Sequence, residues 1–412
     1  MKTYSQVTSS DSLQKDYLNV YLDGANFYQE YIKQNVTFIN YVRDRFDAQV
    51  HLIITQQQTG SGGTEFTLFY IGQQDFAGKN DTIRHIANSI STEDETRAGL
   101  VQKMKMGLLA FIAKLPNATA VEINFTQANE DAMDREEEDK WNNWVFSISG
   151  SGNASIENSY KYYYYGGNIS ANKVTDDWKI NLNGGINSNN SKFIFGEEVG
   201  DTIISKNNSA YGNFTIVKSL GEHLSAGFDS YYNNSTYSNY DNNIIFAPAV
   251  EYDIFPYSES TSKLLSFFYR VRGQYSDYTD TTIYDKTSEL LFSQAMDVSL
   301  SLTQKWGSVS TGVGGAHYFH DFSKNSLNFF GNLNWRIYEG LSIGGFFSYN
   351  IIHDQLNLPK SGASDEDILL QQKELAKSYS LYGFFRVTYS FGSIYNNVVN
   401  PRFETGSYSF YF

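Results

Sequence analysis

The 412-residue chain contains no cysteine, which excludes disulfides, zinc–thiolate sites and cysteine nucleophiles. Proline is scarce, with five residues, and no apolar run approaches the roughly 18 residues that a membrane-spanning helix needs. The 31 Lys and Arg are outnumbered by 45 Asp and Glu, and the net charge of -14 argues against a general nucleic-acid binder. The abundant residues are instead aromatic, with 32 Tyr and 30 Phe.

Residues 1–126 have the pattern of a small two-layer α/β domain. Alternating or β-branched stretches predict strands at 17–23, 49–55, 64–71 and 120–125. The second and third of these strands are expected to pair through the Gly60–Gly63 turn. A helix is predicted from Thr92 to Lys114, because Thr92 and Glu95 form a capping box and apolar residues then recur at helical spacing. Such a helix must pack on the sheet to be stable.

The stretch 127–140 is an acidic linker, and the composition changes after it. Residues 141–391 alternate with period two, as where Leu327, Phe329 and Leu333 oppose Asn328 and Asn332. Twelve such segments are predicted at about 144–153, 160–171, 178–189, 208–219, 222–235, 243–254, 265–278, 290–304, 306–319, 325–338, 340–353 and 379–391. They are longer than the roughly 5–6 residues typical of soluble strands and match the roughly 9–11 that a tilted membrane-spanning strand needs.

The connections between segments predict an orientation. Long connections, about 190–207 and 354–378, fall at one end, and short ones at the other, which is the asymmetry of outer-membrane barrels. All five tryptophans fall near the short-connection end, where interface anchors are expected: Trp141, Trp144, Trp178, Trp306 and Trp335. The first 126 residues are therefore expected in the periplasm.

The fold class predicted is mainly β: an antiparallel transmembrane β-barrel of twelve strands, preceded by a small two-layer α/β domain. Backbone groups in lipid must pair internally, so only helices or closed barrels span a bilayer. Fourteen strands is the alternative, in which Lys192–Ile204 and the stretch 403–412 each add one strand. Otherwise residues 392–412 form a tail.

The last residues, Gly406-Ser407-Tyr408-Ser409-Phe410-Tyr411-Phe412, resemble the assembly signal of bacterial outer-membrane β-barrel proteins. That resemblance implies an outer-membrane location, with outer-membrane lipids and the assembly machinery as partners. The chain also resembles a family of bacterial surface proteins with an α/β module before the barrel, on the strength of Tyr41–Arg45 and Gly60–Thr64. The module is similar to periplasmic TolB-like proteins at fold level only, which implies no activity. Met1–Gln6 opens no signal peptide, so Met1 is predicted not to be the natural start of the precursor.

Alternation also predicts which charges face the lumen. The predicted lumen-lining charges are Glu251, Asp253, Arg270, Arg272, Asp297, Arg336 and Arg386. Acid, base and acid on adjacent strands are expected to pair, because unpaired charges away from bulk water are costly. The set is interpreted either as a selectivity constriction or as a structural network that stiffens the barrel. Inward aromatic residues such as Phe330 and Phe346 favour the second interpretation, because they narrow any pore.

The sequence does not predict a catalytic site, a metal site or a cofactor. His317, His320 and His353 lie near the outer end, but the spacing selects neither Ser323 nor Ser348 as a nucleophile. The Gly60–Gly63 run lacks the Lys-Ser/Thr of a phosphate loop and does not open a helix.

Three functions remain open from the sequence. The first is a narrow, porin-like channel or transporter. The alternative is a non-conducting barrel whose periplasmic domain docks a protein partner of the cell envelope, motivated by the folded domain and its acidic tether. The third, an outer-leaflet lipid hydrolase or acyltransferase, has the weakest support. No nucleic-acid partner is expected.

Overall fold

A computed structural model describes residues 17–24, 28–59, 62–88, 91–116, 139–194, 202–362 and 374–393, and these form two separate β-sheets. The first sheet belongs to the amino-terminal domain. Its elements are β1 (Leu18–Asp23), α1 (Gln29–Asn35), β2 (Ile39–Tyr41), β3 (Val50–Gln58), β4 (Thr64–Gly72), β5 (Asn80–Ala87) and α2 (Glu93–Ile112). The strand order is β2-β1-β3-β4-β5, in which β1 runs parallel to β2 and β3 and the other neighbours are antiparallel.

Helix α2 closes this domain by packing its apolar face on the sheet. The side chain of Thr92 accepts from the backbone N–H of Glu95 and the Glu95 side chain accepts from the N–H of Thr92, so the predicted capping box is confirmed. A Cβ at Gly107 would lie 2.2 Å from the ring of Tyr70, so glycine allows the close approach of helix and sheet there. The Tyr70 hydroxyl then donates to the carbonyl oxygens of Lys103 and Met104.

The predicted strands of the amino-terminal domain are confirmed where the structure describes them. The pairing of β3 with β4 is the hairpin expected across Gly60–Gly63. The predicted strand at 120–125 and most of the linker 127–140 lie outside the described residues. Three elements were not predicted: α1, β2 and β5. No helix in the described part of the chain is long and apolar enough to cross a membrane.

The second sheet, called here the large sheet, contains twelve strands, as predicted. They are β6 (Trp144–Ile156), β7 (Tyr160–Val174), β8 (Trp178–Ile194), β9 (Thr202–Ser219), β10 (Leu224–Ser235), β11 (Tyr240–Asp253), β12 (Lys263–Tyr278), β13 (Ser288–Gln304), β14 (Gly307–Tyr318), β15 (Asn325–Tyr338), β16 (Leu341–Ile352) and β17 (Tyr379–Tyr389). Consecutive strands pair antiparallel, so the order in the sheet is the order in the sequence. The chain is therefore mainly β, with a twelve-stranded antiparallel sheet after a small α/β domain.

The prediction of a loop at 190–207 is wrong, because most of this stretch is strand. Strands β8 and β9 continue until Ile194 pairs with Thr202. The Lys192–Ile204 stretch therefore lengthens two strands and does not form an additional one, so it supplies no extra strand to the fourteen-strand alternative. The stretch 403–412, the other candidate strand, lies outside the described residues.

The twelve strands form an open sheet, so the closure of the predicted barrel remains a prediction. Strands β6 and β17 stand at its two ends, and no pairing joins them within the residues that the structure describes. Since successive strands alternate in direction, β6 and β17 run in opposite directions. Direct closure between them would therefore be antiparallel, like every other pairing in the sheet. Unpaired strand edges cannot stay exposed in lipid, so a membrane environment requires their closure.

In the large sheet, apolar side chains are exposed and polar ones are buried, which is the reverse of a water-soluble protein. Along β11 the apolar Ile244, Phe246 and Val250 are exposed, whereas Asn243 and Asp253 are buried. In β13, Leu290 and Met296 are exposed while Ser293 is buried. We call the side with Ile244 and Met296 the apolar face and the opposite side the polar face. An exposed apolar face and a covered polar face suit a sheet whose outer surface meets hydrocarbon.

Candidate functional site

The amino-terminal domain contacts one end of the large sheet. This end, the short-connection end, carries the connections 175–177, 220–223, 254–262, 305–306 and 339–340. The guanidinium of Arg336 on β15 donates to both carboxylate oxygens of Asp23, each at 2.6 Å. The N–H of Gly340 donates to Asp44 at 2.6 Å, and Arg45 donates to the Arg336 carbonyl at 3.3 Å.

Weaker contacts extend the interface to both sides. Arg43 donates to the carbonyl of Ser393, beyond β17, and Arg84 on β5 donates to the carbonyl of Ser258, between β11 and β12. The ring of Phe46 lies 6.5 Å from that of Tyr338. The domain therefore covers the short-connection end over several strands and is not held at one point alone.

Asp23 occupies the end of β1, where it bridges the two sheets. Its other partner is His51 on the neighbouring strand β3, whose Nε2 donates to Asp23 Oδ2 at 3.2 Å. His51 is fully buried, and its ring meets Tyr21 edge-on at 5.0 Å. The Arg336 guanidinium lies 5.3 Å from the ring of Tyr21, within cation–π range. One carboxylate thus connects a buried histidine of the domain to an arginine of the large sheet.

The surroundings keep this group of residues in defined charge states. Burial alone would raise the pKa of Asp23, but hydrogen bonds from His51 and Arg336 outweigh it and hold the pKa at about 2. Burial lowers the pKa of His51 more than the Asp23 carboxylate raises it, so the imidazole is neutral near pH 7. Burial likewise raises the pKa of Tyr21 to about 12. Within this group, therefore, the Asp23 carboxylate and the Arg336 guanidinium are the charged members, and His51 and Tyr21 are neutral.

A cavity of about 640 Å³ lies between the domain and the large sheet. Its sheet side is polar, because Thr303, Ser308 and Asn334 are register partners on the polar face of β13, β14 and β15. The charged residues of the lining are Asp23, Lys33, Arg43 and Arg336. Three cations and one carboxylate give the cavity a net positive charge, unlike the chain as a whole.

The charges predicted to line the lumen are only partly brought together. Arg270 donates to Asp297 at 3.0 Å across β12 and β13, and its guanidinium lies 5.1 Å from the ring of Phe268. Glu251 and Asp253 form no ion pair with any described residue, so the expected acid–base–acid pairing extends over two strands and not three. Asp253 is fully buried beside His223, which contacts its carbonyl oxygen at 2.8 Å.

The remaining predicted charges lie apart from that pair. Arg336 is on the polar face but pairs with Asp23 of the amino-terminal domain, which sequence reasoning did not foresee. Arg272 forms no ion pair with the described residues, and Arg386 is exposed on the edge strand β17. The interpretation of the whole set as lumen-lining charges remains a prediction.

The five tryptophans occupy the ends of strands or the connections beside the amino-terminal domain. Trp144 and Trp178 begin β6 and β8, Trp306 lies in the 305–306 turn, and Trp335 lies near the end of β15. Trp141, Trp178 and Trp335 are exposed, and Lys218 lies 4.8 Å from the ring of Trp178. Their role as membrane-interface anchors remains a prediction.

The outer histidines are engaged with residues other than a nucleophile. His317 contacts the amide of Gln294 at 2.7 Å, and His353 contacts that of Asn325 at 3.4 Å. The hydroxyl of Ser323 donates to Asp321. Among the described residues, no histidine hydrogen-bonds a serine hydroxyl, so this arrangement offers no support for hydrolase chemistry.

The opposite end of the large sheet is covered by its own connection. The segment after β16 crosses the β12–β13 connection, where Thr282 and Pro359 form a β-bridge. Leu356, Asn357 and Leu358 are buried there, and buried Asn239 donates to the Asn357 carbonyl at 2.8 Å. Both ends of the polar face therefore carry a covering segment.

Sequence reasoning did not single out Asp23, Lys33 or His51. One pattern was available: His51 interrupts the otherwise apolar start of β3, and a lone polar residue in a buried strand needs a partner. Nothing in the sequence indicated that this partner also binds Arg336, which is 313 positions away from it.

No protein-family model matches the chain, and no curated protein matches it. Among solved structures, a bacterial polysaccharide outer membrane secretin is similar at 10% identity and a TM-score of 0.28, over 60% of this chain and 91% of the secretin chain. CdiB from Acinetobacter baumannii is similar at 10% identity and a TM-score of 0.27, over 82% of this chain and 59% of CdiB. Similarities this low carry no functional argument, so function is argued from the geometry of the chain itself.

Proposed function

We propose that the chain is an outer-membrane β-barrel that admits small polar solutes, with its amino-terminal domain in the periplasm as the gate. The reversed burial of the large sheet and the length of its strands support a membrane-spanning role. The bidentate contact between Asp23 and Arg336 carries the gating proposal, because it holds a folded domain across one end of the polar face.

The strength of this contact makes a gate feasible. Both side chains are largely buried, with 22% of Arg336 and 16% of Asp23 exposed. Truncating one partner of such a charge pair costs about 2 kcal/mol or more. That corresponds to roughly a thirtyfold change in the ratio of docked to undocked domain. Loss of the contact is therefore expected to shift the domain measurably toward the undocked state.

Conductance of the purified full chain in planar lipid bilayers tests this function. The unaltered protein is expected to be closed most of the time, and Asp23→Asn is expected to raise the open fraction by roughly thirtyfold as long as that fraction stays small. Asp94→Asn is the matched control, because Asp94 is an exposed carboxylate on α2 whose ion pair is with Arg97 of the same helix. Equal open fractions in all three proteins would contradict the gate.

A non-conducting barrel is the second candidate, favoured by the buried segment at the opposite end. Leu356 and Leu358 are only 5% and 7% exposed, so this cover is packed in place. This candidate would be supported if no conductance is seen for the unaltered protein, for Asp23→Asn and for a variant lacking 354–361. The amino-terminal domain would then act as a docking module and not as a gate.

A further inference from the structure

The cavity between the amino-terminal domain and the large sheet contains a cation without a counter-charge in contact. Lys33 on α1 is 8% exposed and lines this cavity. It forms no ion pair and no hydrogen bond with any residue that the structure describes, and its Nζ lies 5.9 Å from the centre of the Tyr41 ring. A largely buried lysine without an anionic partner leaves the three donors of its ammonium group to a ligand or water in the cavity.

The charges of the other lining residues do not neutralise Lys33. Arg336 already neutralises Asp23, the single carboxylate among the residues that line the cavity. Arg43 adds a further positive charge, since its contact is with a carbonyl and not a carboxylate. Burial lowers the pKa of Lys33, and the nearby charge of Glu30 raises it in part. The field inside the cavity therefore favours an anion.

The uncharged part of the lining indicates what kind of anion fits. The large sheet contributes hydroxyls and amides from Ser301, Thr303, Ser308 and Asn334, and the domain adds Gln29. Hydroxyl and amide groups both donate and accept, as the hydroxyls of a sugar do. The volume of about 640 Å³ lies within the range of small-molecule sites. An apolar ligand would leave most of these polar groups unpaired.

We propose that this cavity binds a small polyhydroxylated anion, such as a sugar acid or a sugar phosphate, with Lys33 contacting the acidic group. The hydroxyls of the ligand contact the Ser, Thr and Asn side chains of β13, β14 and β15. The inference goes beyond the gate, because binding at equilibrium does not require that the barrel conducts. A silent barrel that binds the ligand would reject the gate and leave this site standing.

Titration calorimetry of the full chain in detergent micelles tests the site, with D-glucuronate and glucose 6-phosphate as the two anionic probes. Glucose and glucosamine are the neutral and cationic probes of the same shape. Binding of one or both anions is expected, and the stronger of the two identifies the acidic group. Glucose and glucosamine are expected to bind at least about tenfold more weakly, since they lack a charge-assisted bond to Lys33. Absence of binding by both anions, or equal binding of glucose, would overturn the proposal.

Variants assign the binding to this cavity. Lys33→Met keeps the length of the side chain and removes its charge, and it is expected to weaken the preferred anion at least about tenfold. Lys105→Met on α2, which does not line the cavity, is the control and is expected to bind as the unaltered chain does. Equal affinity in Lys33→Met and the unaltered chain would place the binding elsewhere.

A second measurement covers the case in which Lys33→Met does not fold. The chain has no cysteine, so Ser301→Cys introduces a single thiol into the lining. The preferred anion is expected to slow the reaction of this thiol with a small alkylating reagent several-fold. The thiol of Ser361→Cys, in the exposed connection after β16, is expected to react at the same rate with and without the anion. If the anion leaves the alkylation rates of both thiols unchanged, the proposed site is overturned.

Discussion

The two sheets of this protein place apolar residues in opposite positions. In the amino-terminal domain, Leu18, Leu52 and Leu68 are completely buried. In the large sheet, Ile186 on β8 and Leu290 on β13 are 67% and 64% exposed, respectively. Both sets are large apolar residues, but those of the amino-terminal domain face a core and those of the large sheet face outward.

This difference indicates two different solvents. Burying a leucine or isoleucine side chain is worth about 1.5–3 kcal/mol when the alternative is water. The gain vanishes where hydrocarbon covers the residue, since lipid tails are as apolar as the side chain. The amino-terminal domain therefore has the burial pattern of a protein in water, and the large sheet has the pattern that the proposed membrane location predicts.

The largest expected effect comes from the core of the amino-terminal domain. Leu68→Ala is expected to lower the free energy of unfolding of this domain by about 3–5 kcal/mol, because it leaves a cavity in a closed core. Ile186→Ala, on the 67% exposed Ile186 of β8, is expected to cost much less. Hydrogen–deuterium exchange of the full chain in micelles measures both. Equal losses of unfolding free energy in the two variants would contradict the idea that the two sheets lie in different solvents.

A lysine on the exposed face of each sheet sharpens the comparison. Met296, midway along β13, is 48% exposed, and Ile86 on β5 is 57% exposed. Met296→Lys is expected to cost about 2–4 kcal/mol in a bilayer, whereas Ile86→Lys is expected to change stability by no more than about 0.5 kcal/mol. Unfolding by urea in lipid vesicles is the measurement. A tolerated lysine at Met296 would mean that the apolar face of β13 does not meet lipid.

The smallest expected effect concerns the contact between the sheets and its dependence on pH. The pKa of Asp23 is about 2 against an ordinary 3.8, so its stabilising contribution of about 2 kcal/mol is complete above pH 3.8 and is lost as the pH falls through 2. The pKa of His51 is lowered from 6.5, so the unfolded chain binds a proton first and stability already declines below pH 6.5. Exchange of the β1 and β3 amides at graded pH reports both steps.

Two variants separate these steps. His51→Gln is expected to reduce the decline that begins below pH 6.5, while His85 on β5, whose pKa burial also lowers, keeps a part of it. Asp23→Asn is expected to remove the decline below pH 3.8. The large sheet of either variant is expected to show the pH profile of the unaltered chain. An undiminished decline in His51→Gln would assign it to His85 or another group.

Much of the large sheet was predictable, since period-two alternation over long segments specifies strands, faces and order together. The prediction of a loop at 190–207 was wrong, because the Asn-Ser run at 187–191, which is typical of loops as well as strands, continues β8 to Ile194. Elements α1, β2 and β5 were missed for related reasons. Helix α1 has seven residues and no capping bond, β2 has three residues, and most of β5 is exposed.

The candidate site was far less predictable. Alternation placed Arg336 on the same face as Asn334, which the shared cavity lining agrees with. Alternation describes only neighbours within a sheet, so it gave no partner for Arg336. The partner, Asp23, comes from another domain. Lys33 was not predicted as a site residue, since a lysine in a short helix ordinarily faces water.

The sequence by itself determined the twelve strands, their antiparallel order and the division between a water-type and a lipid-type sheet, because these depend on the spacing of residue types along the chain. Only the tertiary structure decided where the amino-terminal domain docks, which carboxylate Arg336 binds and that Lys33, with no ion pair among the described residues, lines the cavity between domain and sheet. Those features depend on distances between segments that are far apart in sequence, and no local periodicity encodes such distances.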